Sequence, residues 1–149
     1  MIDQGANRGK ILAIDYGTTK IGLAVSDDAR LLAFGRGVID RGPGSGGFEK
    51  LVFKLRAICE KDGVVEFVFG LALNAEGEEG ESAGRVRNFA AKLGSHFPDK
   101  KFNFIDESFS TFEAKKLQQE AGSHGHDDEF AAKIILQRFL DGHGIIQAS

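Results

Sequence analysis

The chain carries five short runs of strand-forming residues, and the lengths of chain between them restrict its fold more than any other feature. KILAIDY (10–16), KIGLAVSD (20–27) and LLAFGRGVID (31–40) follow one another across only a few residues. Links so short join antiparallel neighbours but not parallel ones, so these three read as a meander. The last two runs, VVEFVFGLAL (64–73) and KFNFIDES (101–108), are each preceded by a helical stretch. After the flexible GPGSGG (42–47), Phe48, Leu51, Val52, Leu55, Ile58 and Cys59 recur at helical spacing, and Val86, Phe89, Ala90 and Leu93 mark a second amphipathic helix. Strands alternating with helices imply right-handed crossovers and parallel pairing, so the second half extends the sheet in parallel.

Two more helices close the chain. Ser110 and Glu113 have capping-box spacing and Gly122 sits where a C-terminal cap belongs, which predicts a helix over 111–121. In DEFAAKIILQRFLDG, Lys133, Gln137 and Asp141 share one helical row, with Ala131 or Ala132, Ile135 and Phe139 opposite. Asp128 falls on the apolar side of that helix. The predicted order is βββαβαβαα, an α/β fold with a five-stranded mixed sheet flanked by helices. At 149 residues and 42% hydrophobic side chains, the chain has enough apolar material for one core but not two, so 1–149 reads as a single domain.

Composition also narrows the partners. A net charge of −3 and a pI near 5.8 require that any nucleic-acid contact come from a local basic patch. MIDQGANRGK lacks the apolar centre of a signal peptide, and no run is long enough to span a membrane. The one cysteine, Cys59, lies on a helix stripe and reads as core, in keeping with a reducing cytoplasm.

Three carboxylates then stand out. Asp15 ends an unbroken apolar strand, where Asp is disfavoured; Glu107 ends the fifth strand; Asp128 begins the last helix on its apolar side. With the first, fourth and fifth strands parallel, Asp15 and Glu107 lie at the carboxyl edge of the sheet, where open α/β sheets bind ligands. Like charges gathered there require protons or a shared cation, and an all-carboxylate shell suits Mg²⁺ or Mn²⁺. Such a shell serves two-metal phosphoryl chemistry. Simpler roles stay open: Asp128 as a helix cap, with Asp127 beside it as the alternative ligand, and Asp106 and Glu107 as strand-end charges. Lys20, Arg85 and Arg87 are the candidate phosphate contacts, while His124 and His126 and the acidic run from Glu76 to Glu81 read as solvated loops.

AIDYGTTKIGLAVSD, VFGLALNAEGEEGESAGRVRNFAAKL, FIDESFSTFEAKKL and DDEFAAKIILQRFLD together resemble the YqgF family, also called RuvX, from Lys10 to Asp141. The resemblance implies an RNase H-like fold and a hydrolase, a divalent-metal-dependent nuclease described as a Holliday junction resolvase or as maturing the 5′ end of pre-16S ribosomal RNA. It also implies Asp15, Glu107 and Asp128 as the acidic metal ligands. The expected substrate is structured RNA or branched DNA, and a dimer suits junction resolution whereas a monomer suffices for RNA trimming. Three positions depart from the family pattern: Lys20 replaces an arginine, Gly70-Leu71-Ala72 replaces GLP, and Ser108 replaces the arginine of DER. Loss of a bidentate guanidinium beside a proposed ligand weakens phosphate binding or ligand orientation. A noncatalytic RNA- or ribosome-binding module is therefore an alternative. IDYGTT is also similar to the first phosphate loop of sugar kinases and actin-type ATPases, a further alternative that requires a second such domain.

Overall fold

A computed structural model of the chain describes residues 9–107 and 127–146. The helix expected over 111–121, together with Ser108, His124 and His126, lies outside them, as do the side chains of Asp127 and Asp128. The strands are β1 (Lys10–Asp15), β2 (Lys20–Ser26), β3 (Ala33–Asp40), β4 (Val64–Leu71) and β5 (Lys101–Asp106), and the helices are α1 (Gly47–Asp62), α2 (Glu81–Gly94) and α3 (Asp127–Leu140). They form one five-stranded sheet in the order β3-β2-β1-β4-β5. β1 pairs antiparallel with β2 and β2 with β3, whereas β1 with β4 and β4 with β5 are parallel. This is the mixed sheet that the link lengths dictate.

Alternation along β1 sorts its side chains between two cores. Leu12 and Ile14 join Phe67, Phe69, Leu71 and the buried stripes of α1 and α2. Ile11 and Ala13 join Ala24, Val68, Ile105 and the α3 residues Ala132, Ile135 and Leu136. The sheet is thus covered on both faces, which explains why β1 is apolar on both. Helix α1 stops where Gly63, at φ 75°, takes the left-handed cap and donates its N–H to the Cys59 carbonyl at 2.9 Å. Cys59 is buried in the first core, and burial pushes its thiol up to about 11, so it is an inert core residue. Among the described residues no helix is long and apolar enough to cross a membrane.

Tertiary packing gives two polar side chains partners distant in sequence. Gln137, on the row it shares with Lys133 and Asp141, docks α3 on the start of β3: its Oε1 accepts from the Ala33 N–H and its Nε2 donates to the Leu31 carbonyl, both at 3.0 Å. Glu66 is 5% exposed although its neighbours are core. Arg30 reaches it at 3.1 Å and also donates to the Gly9 carbonyl, while the Asn103 amide donates to the other carboxylate oxygen. A buried charge is tolerated only when paired and hydrogen-bonded in this way.

Candidate active site at the carboxyl edge of the sheet

Asp15 is the last residue of β1 and shares the α3 face with Ile11 and Ala13 by alternation. Glu107 follows β5 and by the same count shares that face with Ile105, and its N–H donates to the Leu71 carbonyl at 2.9 Å. Parallel pairing of β1, β4 and β5 brings the two to one edge, with β4 between them. What lets them meet across it is Gly70. A Cβ at that position would lie 2.9 Å from Glu107 Cβ, 3.0 Å from its Cδ and 2.8 Å from Ile135 Cδ1. Because Gly70 has no side chain, the Glu107 carboxyl lies over β4 and forms a side-chain hydrogen bond with Asp15.

The electrostatics of this pair are unfavourable for two free charges. Burial holds the Glu107 carboxyl above its ordinary range, the hydrogen bond to Asp15 lowers it, and the nearby Asp106 charge raises it again. Two half-buried carboxyl groups in contact, with Glu107 held above its ordinary range, are poised to take up a proton or a cation. Oxygen-only donors fixed on strand ends suit a hard divalent ion such as Mg²⁺ or Mn²⁺. Among the described residues no group of three acids, histidines or cysteines is placed to hold a metal, so the third donor would have to come from outside them.

The first turn of α3 is anchored at the same edge. Glu129 Oε2 accepts the Gly37 N–H at 2.6 Å. Gly37 precedes Val38, which pairs with Gly22, itself the partner of Asp15. The first turn of α3 therefore lies beside the row that ends in Asp15. A side chain at Gly35 would strike Glu129, which its spacing in the sequence gives no sign of.

The candidate cations are not brought together. Lys20 is exposed at the start of β2 and shares the α3 face with Gly22 and Ala24, on the same side as Asp15. Arg85 is on the other side of the sheet, in an exposed i,i+4 pair with Glu81. Arg87 points to a third place, the β5 edge. Its guanidinium lies 4.6 Å from the Phe104 ring centroid and grips both carboxylate oxygens of Glu79, holding that acid below the usual carboxylate range. The acidic run, read as solvated, thus supplies a partner that already occupies Arg87.

A β-meander extended by parallel strands, with paired carboxylates at their carboxyl ends, is the RNase H-like arrangement that the resemblance implies. The family model described as RuvX, Holliday junction resolvase, matches residues 9–142, and the chain belongs to this family. Curated relatives named "Putative pre-16S rRNA nuclease" are 36% identical over 136 residues in Maridesulfovibrio salexigens, covering 88% of this chain and 97% of the relative, and 35% identical over 140 residues in Porphyromonas gingivalis, covering 89% and 96%. The structure of Thermus thermophilus RuvC in complex with a Holliday junction superposes with a TM-score of 0.54 over 93% of this chain and 99% of that one, at 14% identity, a likeness of fold.

Proposed function

We propose that the chain is a cytoplasmic, divalent-metal-dependent nuclease that hydrolyses phosphodiester bonds at the Asp15–Glu107 edge, processing the 5′ end of pre-16S ribosomal RNA or resolving branched DNA. The observation that carries this reading is the side-chain contact of Asp15 and Glu107 over Gly70. Family membership supplies the substrate class. With Asp128 as third donor, bound Mg²⁺ or Mn²⁺ would activate water and steady the leaving oxygen. The chain's own contribution is rigidity: Asp15 is set by the β1 ladder, Glu107 by its bond to Leu71 and its seat on Gly70. Lys20 and Arg85 would hold flanking phosphates, whereas an Arg87 contact would first have to displace Glu79. The experiment that tests the reading is cleavage of a labelled four-way junction and of a ribosomal precursor in Mn²⁺, beside the mass in solution. Cleavage of the junction by a dimer identifies a resolvase, trimming by a monomer identifies an RNA-processing enzyme, and loss of both activities overturns the proposal.

Metal should also report on the site directly. Mg²⁺ or Mn²⁺ raises the melting temperature because it binds the folded state, and Asp15→Asn removes that response. The response shrinks on acidification, since Glu107, its affinity for protons raised by burial, holds its proton against the metal further up the pH scale than an ordinary glutamate. A metal response in Asp15→Asn equal to the parent's places the site elsewhere. For the cations, Arg85→Glu should reduce the salt slope of single-strand binding by roughly 0.7, since its single contact with Glu81 is open to solvent, and Arg87→Glu by less, because Glu79 holds Arg87 through both carboxylate oxygens. Equal losses would show that the Glu79 pair opens on binding.

A further inference from the structure

Behind Asp15, on the α1/α2 face, a cavity of about 270 Å³ is lined by Tyr16, Arg41, Phe48, Arg85, Phe89 and Lys92. Tyr16 follows Asp15 in the chain, so this cavity and the acids share one end of β1 from opposite faces. We propose that it is a second phosphate subsite, which grips a nucleotide phosphate of the substrate strand while a phosphodiester further along that strand lies at Asp15 and Glu107.

The three cations differ from ordinary surface charges because two are held in place. Arg41 Nη1 donates to the Gly17 carbonyl at 2.7 Å, and its backbone N–H donates to the Thr19 carbonyl at 2.7 Å. Its guanidinium stands 4.8 Å from the Tyr16 ring centroid and 5.4 Å from that of Phe89. Lys92 Nζ stands 4.3 Å from the Phe48 centroid. Aromatic faces fix such charges without neutralising them, so their remaining N–H donors stay available to an anion. With its rings already covered by cations, the cavity suits phosphate better than a stacked base. Asn88 adds an amide to the lining. Arg41 also ties the cavity to the loop leaving Asp15, so a phosphate bound there would brace the Gly17–Thr19 segment beside the acids.

This inference rests on the nuclease reading, and the test separates the two. Adenosine 5′-monophosphate is titrated into the protein in EDTA, where the metal-free acids repel anions. Amide signals of Tyr16, Arg41, Phe89 and Lys92 should shift, and Arg41→Gln and Lys92→Gln should each weaken binding about tenfold. Lys101→Gln, on the exposed start of β5, serves as the control and should not. Because Arg41 also braces a loop, Lys92→Gln carries the conclusion if Arg41→Gln unfolds. Oligonucleotides with and without a 5′-phosphate then distinguish the occupants: preference for the phosphorylated strand assigns a terminal phosphate, and equal affinity, reduced alike in both variants, assigns an internal one. Binding that ignores both Arg41 and Lys92 overturns the subsite. A chain that binds the nucleotide there yet cuts neither junction nor precursor retains the subsite and overturns the nuclease reading instead.

Discussion

Glu107→Gln should lower metal-supported cleavage by about two to three orders of magnitude while leaving the fold intact. The amide is isosteric, keeps a hydrogen-bonding partner for Asp15 and still fits over Gly70, so the change removes charge and little else. Its effect on the metal-free protein has the opposite sign. A carboxyl whose folded-state value is raised binds more protons folded than unfolded. Its stabilising contribution is therefore present below the ordinary glutamate value and is lost as pH rises through the raised folded value. Melting temperatures in EDTA should fall with pH in that window for the parent and stay flatter for Glu107→Gln. The neighbour supplies the control. Asp106 pairs with Leu71 and by alternation faces the other core, so Asp106→Asn should keep the rate at saturating metal and only shift its pH profile, since Asp106 raises Glu107 through charge. An essential Asp106 with a dispensable Glu107 would put the register of β5 one residue out.

The second large effect is on stability and lies at the other end of the sheet. Arg30→Met should cost about 3 kcal/mol, because it strands the Glu66 carboxylate, 5% exposed, with only Asn103 to bind it. Restoring the balance with Glu66→Gln in the same chain should recover much of the loss, since a neutral amide needs no counter-charge. Denaturant unfolding of the two single variants and the double variant gives the coupling directly. Additive losses would show that the pair contributes no coupling of its own. Cleavage per folded molecule should not change in any of the three, as Glu66 lies toward the amino end of β4, away from Asp15 and Glu107.

What the sequence determined by itself is the sheet and the acids at its edge. Links of a few residues could only make β1, β2 and β3 antiparallel, and helical links could only return β4 and β5 parallel. Asp15 at the end of an apolar run, and Glu107 after another, were thereby legible as neighbours at one edge. Contacts between side chains far apart in sequence were not. That Gly70 must lack a side chain for the two acids to touch depends on β4 lying between them, a fact of strand order rather than of local pattern. Gln137 meets the Ala33 backbone and Arg41 meets Tyr16 for the same reason, and Glu79 meets Arg87 through the turn that leads into α2. Periodicity reports which face a residue occupies, because burial averages over many neighbours. It carries no information on which single partner that face presents, and only the packed structure decided where each of these charges is neutralised and where one remains available.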